Sequence, residues 1–230
     1  MHSLIYGADG ATGTRLVRQA LDAGHTVRAS VRKLDSPPLV AERLEWIESD
    51  VLGAVGLAQD MAGIDAVLNA VGIAASPQTA VSPPPLHSKG TRNIVEAMRE
   101  TGVTRLVTIS ASFVETMARG PVWFELAARL GLHEIFDDMA KMEDFLREQD
   151  DIDWTAVRPG WLLDEAASGD YGVFENVIPK DLIRTRTGDL AHFILTCAQG
   201  GLHIRETPAI ARPEPNTKSG PEAILAEIVG

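Results

Sequence analysis

The 230-residue sequence has one cysteine, few aromatic residues and far fewer basic than acidic side chains, and it lacks a long apolar run. The single Cys197 excludes an internal disulfide and a cysteine-based metal site, which suits a reducing cytoplasm. No apolar run approaches the roughly 18 residues of a membrane-spanning helix. The chain also enters a predicted strand at once, so we expect neither a membrane span nor a signal peptide.

The charge balance and the histidines exclude two further classes of function. A formal net charge of −11 argues against nucleic acid or an anionic membrane as a partner, because both bind basic surfaces. The six histidines are scattered and no two stand four residues apart, so we expect no metal site. The partner that we expect is a small-molecule substrate.

Length and composition predict a single domain. With 45% apolar residues, the chain can form one full α/β core, but it is too short for a nucleotide-binding domain plus a large substrate domain. We therefore expect residues 1–230 to form one Rossmann-type, doubly wound parallel sheet.

The sequence is organised around residues 2–33, which read as strand, glycine-rich turn, helix and strand. An apolar run ends at Gly7, and a helical pattern then continues until Gly24. In such a turn Gly7 permits the bend, Gly10 lets the backbone approach a pyrophosphate, and Gly13 lets the helix pack closely on the strand. The free N–H groups at the helix start would face the phosphates. The alternative is an ordinary glycine-rich turn.

One residue of this turn is unexpected. A carboxylate at Asp9 would repel a pyrophosphate, so we interpret it as a cap that bonds backbone N–H groups of the helix. The predicted cofactor contacts in the turn are Gly7, Asp9, Gly10, Ala11, Thr12 and Gly13.

The end of the second strand indicates which dinucleotide binds. An acidic residue there binds the ribose 2′-hydroxyl of NAD, whereas arginine accommodates the 2′-phosphate of NADP. Here the strand ends in Arg32 and Lys33, with Arg28 earlier on it. A guanidinium can bond the phosphate through two N–H groups and a lysine adds a point charge, so we predict NADPH. The alternative is that these are solvated charges.

The spacing Gly-x-x-Gly-x-x-Gly resembles the short-chain dehydrogenase/reductase superfamily, particularly its extended and atypical branches. The resemblance implies that Asp50 and Val51 receive the adenine ring, although Asp50 could instead cap a helix over 53–61. The apolar run 64–72 is typical of a buried parallel strand. The residues at its end, which the resemblance assigns to the adenosine and ribose, are Ala70, Val71 and Gly72.

The predicted strand 104–109 brings two serines to the same sheet edge. In short-chain reductases a Ser or Thr at this position hydrogen-bonds the substrate carbonyl, and Ser110 is the first candidate and Ser112 the second. A serine at a strand end is also a common helix cap.

The predicted helix 134–149 carries Lys141, which the resemblance identifies as the lysine that holds the nicotinamide ribose. It implies a tyrosine acid four residues earlier, but that position is Asp137, which we read with Asp138 as a solvated pair. Hydride transfer to a flavin or another conjugated ring needs no coupled side-chain acid, since water or the acceptor's heteroatoms take up the proton. A conjugated acceptor is therefore favoured over a simple ketone.

The predicted strand 153–160 ends in Arg-Pro-Gly, which resembles a signature of atypical short-chain reductases. The resemblance implies that Pro159 and Gly160 turn the backbone over the nicotinamide ring. A helix capped by Asp189 and a last strand over 201–208 complete the prediction. Three stretches are interpreted as substrate loops: 73–86, 113–134 and 161–187.

From Gly7 into the predicted last strand, the chain resembles the NAD(P)H-binding atypical short-chain reductases, the group of NmrA-like proteins and flavin (biliverdin-IXβ) reductases. The local strings that carry it are VRK after the glycine turn, SKGTRNIVEAM, FDDMAKMEDFLRE and GDLAHFIL. The resemblance implies NADPH as hydride donor, a monomer, and flavins, quinones or linear tetrapyrroles as acceptors. An NADP-sensing regulator without turnover stays open, as does, less strongly, an isomerase or dehydratase.

Overall fold

A computed structural model describes residues 1–73, 82–116, 133–220 and 222–224 of the chain. Its strands are β1 (His2–Tyr6), β2 (Thr26–Val31), β3 (Leu44–Glu48), β4 (Ala66–Asn69), β5 (Arg105–Ile109), β6 (Asp153–Pro159), β7 (Trp161–Leu163), β8 (Gly172–Phe174), β9 (Arg184–Arg186) and β10 (Ala209–Ala211). Its helices are α1 (Ala11–Asp22), α2 (Leu57–Asp60), α3 (Leu86–Thr101), α4 (Phe113–Thr116), α5 (His133–Arg147), α6 (Thr187–Gly200) and α7 (Asn216–Ser219).

The main sheet has the strand order β3-β2-β1-β4-β5-β6-β10-β8. Neighbouring strands in this sheet are parallel, except that β8 runs antiparallel to β10. Chain order reverses between β1 and β4, and doubly wound sheets bind ligands in the crevice that such a reversal leaves at the carboxyl ends. β7 and β9 form a separate parallel pair. The predicted Rossmann-type doubly wound α/β fold is confirmed.

Both faces of the sheet are apolar because helices cover each of them. Successive residues of a strand point to opposite faces. On β1, Ile5 packs in the core that α1 and α6 cover, whereas Leu4 and Tyr6 pack in the core that α3 and α5 cover. The buried, helically spaced Ile94 and Met98 place α3 in that second layer.

Two predicted elements differ from the structure. The last strand is not 201–208 but Ala209–Ala211, because His203 and Arg205 adopt positive φ angles of 55° and 59° that no strand accommodates. The helix predicted over 53–61 is reduced to the four residues of α2, which start after Gly56 at a φ of 93°. Both differences lie where the local backbone turns sharply.

None of the helices in the described ranges is long and apolar enough to cross a membrane.

Candidate functional site

The glycine turn between β1 and α1 is as tightly packed as the sequence predicts. A Cβ on Gly13 would lie 2.0 Å from the carbonyl oxygen of Gly7, and one on Gly7 would lie 2.8 Å from the carbonyl carbon of Ala70. Around Gly10, by contrast, the nearest atom to such a Cβ is 3.4 Å away. Gly7 and Gly13 therefore close the turn, while Gly10 leaves its outer side open to a ligand.

Asp9 does not cap α1, which corrects the prediction. The residue before the helix is Gly10, with extended backbone and no side-chain cap, and Asp9 is exposed. The turn is held by backbone bonds instead, from the Gly10 N–H to Gly7 at 3.1 Å and from the Thr14 N–H to Gly10 at 2.8 Å. The first N–H groups of a helix have no partner within it. Those of Ala11, Thr12 and Gly13 are thus the groups that an anion would meet.

Arg32 and Lys33 follow the end of β2 and are both exposed. Lys33 lies 3.0 Å from Asp35, and Arg32 has no ion-pair partner among the described residues. Arg28 contributes nothing to this surface, because it bonds the Glu45 carboxylate at 2.7 Å and the Asp60 carbonyl at 2.7 Å. An exposed guanidinium that forms no ion pair with the described residues thus stands where the 2′-phosphate prediction requires one.

The segment after β3 is fixed against α3. The Asp50 carboxylate accepts the Leu52 N–H at 2.9 Å, so Asp50 forms a local turn and does not cap α2. Val51 is buried, and its carbonyl accepts a bond from the Asn93 side chain at 2.9 Å. The Asp50 side chain remains exposed at the carboxyl edge of the sheet.

The end of β4 is tied to β5. Asn69 donates to the Thr108 hydroxyl at 3.1 Å and accepts the Val71 N–H at 3.4 Å. Ala70 and Val71 then pass directly over Gly7, and, apart from its two chain neighbours, no atom of the described residues lies within 4 Å of a Cβ placed on Gly72. The three residues assigned to the adenosine and ribose therefore lie beside the glycine turn.

The two candidate serines after β5 both bond protein groups. The Ser110 hydroxyl donates to Glu143 at 2.6 Å, and the Ser112 oxygen accepts the Ile178 N–H at 3.0 Å. Both side chains are buried. While these contacts persist, the proton of Ser110 is not available to a substrate carbonyl.

Glu143 is the residue of this edge that the sequence reading missed. It is fully buried on α5, and it bonds Arg158 through Nε at 2.8 Å and Nη2 at 2.5 Å. Arg158 also bonds the Asn176 carbonyl at 2.9 Å and Glu115 at 3.2 Å. The sequence does contain a signal for this residue. Glu143 follows Met142 on the apolar face of a predicted helix, and Arg158 stands at the end of a predicted buried strand, so each charge needs a buried partner.

Lys141 is exposed on α5 and bonds no other described residue. Asp137, one turn earlier, is also exposed and faces His133 at 3.4 Å. Its neighbour Asp138 is not solvated, which corrects the prediction of a solvated pair. Asp138 is buried and accepts the His87 N–H at 2.8 Å, because the start of α3 needs acceptors for its free N–H groups.

The Arg-Pro-Gly turn after β6 is packed on both sides. A Cβ on Gly160 would lie 2.5 Å from the Ile183 carbonyl oxygen, and the Gly160 N–H donates to Thr185 at 2.8 Å. The Pro159 carbonyl accepts the Ser112 N–H at 2.9 Å. This turn therefore connects the end of β6 to β9 and to the end of β5.

The three stretches predicted to be substrate loops are only partly described. Residues 74–81 and 117–132, which hold most of the first two, lie outside the described residues. The third loop contains β7, β8 and β9. Asp189 does not cap α6, which begins at Thr187; its carboxylate instead accepts the Ser168 N–H at 2.6 Å and thereby fixes this loop.

His87 is an unusual buried side chain in the first turn of α3. It is 2% exposed, and neither ring nitrogen has a hydrogen-bond partner in the part of the chain that the structure describes. Burial lowers the pKa of His87 to about 4, and the nearby charge of Asp138 opposes that shift. The ring is therefore neutral at physiological pH. Within the described residues, no cluster of side chains is suited to a metal ion.

Comparison with known proteins gives matches to one family and to many solved structures. The family described as NAD(P)H-binding matches residues 7–200. An uncharacterized chloroplastic protein of Arabidopsis thaliana is 28% identical over 192 residues, which cover 78% of this chain and 68% of that protein.

Two solved structures show the shared fold. A short-chain dehydrogenase/reductase from Veillonella parvula, in complex with NADP, has a TM-score of 0.76 at 16% identity, over 92% of this chain and 94% of that one. ChuY, an anaerobillin reductase from Escherichia coli O157:H7, has a TM-score of 0.76 at 18% identity, over 94% and 98% of the two chains.

Proposed function

Because the chain belongs to the NAD(P)H-binding family, we propose that it is an NADPH-dependent reductase that transfers hydride to a conjugated small molecule. The acceptor would be a flavin, a quinone, an enone or a linear tetrapyrrole. The structures of similar fold include an NADP complex and an anaerobillin reductase, which supports both halves of the proposal.

The observation that carries the proposal is the shape of the glycine turn. Gly13 and Gly7 have no room for a side chain, whereas Gly10 is open, and the first N–H groups of α1 are uncapped. Such a cradle fits the pyrophosphate of a dinucleotide, which the backbone N–H groups would bind. Asp50, Val51 and the segment after β4 would hold the adenosine.

The preference for NADPH is assigned to Arg32, with Lys33 adding charge. We expect Arg32→Ala to weaken NADPH binding about tenfold or more, because charge-assisted bonds to phosphate are lost, and to leave NADH binding unchanged. Titration of nicotinamide fluorescence measures both constants. Arg43→Ala is the matched control, since this exposed arginine precedes β3 at the opposite sheet edge. Equal affinity of the unaltered protein for both dinucleotides would refute the assignment.

The chain's own residues would contribute position more than acid–base chemistry. Bound NADPH would supply the hydride. Pro159 and Gly160 would hold the nicotinamide end of the cofactor, and Ser110 and Lys141 would lie beside it. Because Asp137 stands in place of a tyrosine and Ser110 donates to Glu143, the acceptor's heteroatoms would take the proton from water. Conjugated acceptors permit this, whereas an isolated ketone does not.

A second function, an NADP-sensing regulator without turnover, is favoured by the same hydrogen bond from Ser110 to Glu143, because it leaves no serine proton for a substrate. Absorbance at the NADPH band, followed with flavin, quinone and enone acceptors, separates the two functions. Oxidation by any acceptor, at a rate above the enzyme-free control, supports the reductase. Binding of NADPH without oxidation by the whole panel would instead support the regulator.

We further propose a monomer in the cytoplasm. The lone Cys197 is buried, and burial raises the pKa of its thiol to about 12, so it is not disposed to form an intermolecular disulfide. Few large apolar side chains are exposed among the described residues, namely Val40, Val55, Leu162, Val173, Leu202 and Ile204. Light scattering after size-exclusion chromatography should give a mass near 24.7 kDa.

A further inference from the structure

Glu115 is a half-exposed carboxylate beside the candidate site. It lies on α4, directly after the carboxyl end of β5, and its side chain is 51% exposed. One carboxylate oxygen accepts a bond from Arg158 Nη2 at 3.2 Å. The other bonds no described residue. The group is thus fixed at one oxygen and available at the other.

Its support is rigid because Arg158 is fully buried. The guanidinium is bound by Glu143 at 2.8 and 2.5 Å and by the Asn176 carbonyl at 2.9 Å, so it cannot turn toward a ligand. The position of the Glu115 carboxylate is therefore fixed by β6 and α5 rather than by its own short helix.

The charges of this network do not cancel. Two guanidinium groups face three carboxylates, and these five residues are Arg147, Arg158, Glu115, Glu143 and Asp144. Glu143 is fully buried between the two arginines, whereas Glu115 is the most accessible of the carboxylates that bond Arg158. The network thus carries one negative charge in excess. Its two exposed carboxylates are Asp144, which bonds Arg147, and Glu115, which bonds Arg158 at the sheet edge where hydride would be transferred.

We infer that Glu115 is a specificity-determining residue, which makes the site favour neutral or cationic conjugated acceptors and disfavour anionic ones. The inference rests on the proposed reductase function. A carboxylate accepts N–H and O–H groups and attracts cations, but it repels a phosphate or a second carboxylate. The serine proton is committed to Glu143, so the exposed charged groups that the described residues bring to this edge include the Glu115 carboxylate and the Lys141 ammonium, of which Lys141 is assigned to the nicotinamide ribose. That leaves Glu115 to act on the acceptor.

Riboflavin and FMN test the inference, because they share one reducible ring and differ by a phosphate. The measured quantity is the ratio of kcat/KM for riboflavin to that for FMN, with NADPH as donor. We expect Glu115→Gln to lower this ratio about threefold to tenfold at low salt, and high salt to lower it in the unaltered protein. Glu115→Lys should lower it further, toward a preference for FMN.

Two controls accompany the measurement. Glu148→Gln removes the same charge beyond the end of α5, at the opposite sheet edge, and should leave the ratio nearly unchanged. NADPH affinity should be the same in all variants, which shows that the site is folded; glutamine also keeps an oxygen for Arg158.

If riboflavin is reduced but Glu115→Gln leaves the ratio unaltered, the inference is wrong and the reductase function stands. If no flavin or quinone oxidises NADPH, the reductase function fails, and this inference with it.

Discussion

Single atoms decide what each glycine of the turn does. Gly13→Ala would place a methyl 2.0 Å from the Gly7 carbonyl oxygen, which must displace α1 from β1. We expect it to destabilise the fold by about 1–3 kcal/mol or more, as overpacking does. Gly10→Ala meets only a 3.4 Å contact and has φ of −71°, so it should fold with nearly unchanged stability.

The two variants separate packing from binding. Gly10→Ala should lose NADPH affinity at least tenfold because its methyl occupies the phosphate side of the turn. Urea unfolding and NADPH titration measure the two effects. A Gly10→Ala protein that binds NADPH normally would show that the turn does not approach a pyrophosphate.

A second prediction at this scale concerns His87. Its pKa is about 4 in the folded protein but near 6.5 when unfolded, so between these pH values the unfolded chain binds more protons. Stability should therefore fall as pH is lowered from about 6.5 to 4, by about 3 kcal/mol in total. Other carboxylates add to acid unfolding below this window.

The matched comparison for this effect is His87→Met against His133→Gln. His133 is exposed on α5, so its replacement should leave the pH dependence intact. His87→Met should flatten the stability profile between pH 6.5 and 4, as measured by denaturant unfolding at several pH values. An unchanged profile in His87→Met would show that another group titrates there.

The sequence predicts the roles of some residues better than others, for a physical reason. The packing of Gly13 follows from spacing, because a strand, a turn and a helix in this order leave one geometry. The partner of Ser110 does not follow, since Glu143 lies more than thirty residues away on another element. Asp138 likewise caps a helix distant in sequence.

Among the elements, α5 and β6 are joined by the buried Glu143–Arg158 pair. Glu143→Ala would leave Arg158 buried without its main partner, which typically costs about 3–5 kcal/mol. Asp151→Ala breaks the exposed pair with Arg99 and should have a much smaller effect. Urea unfolding curves of the two variants measure the difference. Equal, small effects would mean that α5 and β6 hold together without this pair.

Regular elements follow from the sequence wherever periodicity is strong. β5, β6 and α5 lie within one or two residues of their predicted bounds, because apolar spacing fixes which face is buried. The last strand is misplaced because His203 and Arg205 turn the backbone left-handed, a conformation that is uncommon for any residue other than glycine. The bond from the Arg205 N–H to Trp154, at 2.6 Å, helps to fix that turn.

At the scale of the whole molecule, cofactor binding should raise thermal stability. A ligand at a hundred times its Kd adds about 2.7 kcal/mol, which for a chain of this size shifts Tm by about 5–10 °C. NADPH should give a larger shift than NADH at the same concentration, because Arg32 and Lys33 add affinity. Differential scanning fluorimetry measures the shift, and Gly10→Ala should reduce it to about half or less. A Tm that neither dinucleotide changes would contradict the cofactor assignment.

The two outer strands of the main sheet limit what can be added to it. β8 is three residues long and antiparallel, and β3 carries the exposed acidic side chains of Glu45 and Glu48. Long, flat, uncharged edges recruit strands from other chains and start fibrils, whereas short or charged edges resist this. A chain with such borders can reach high concentration without amyloid-like growth.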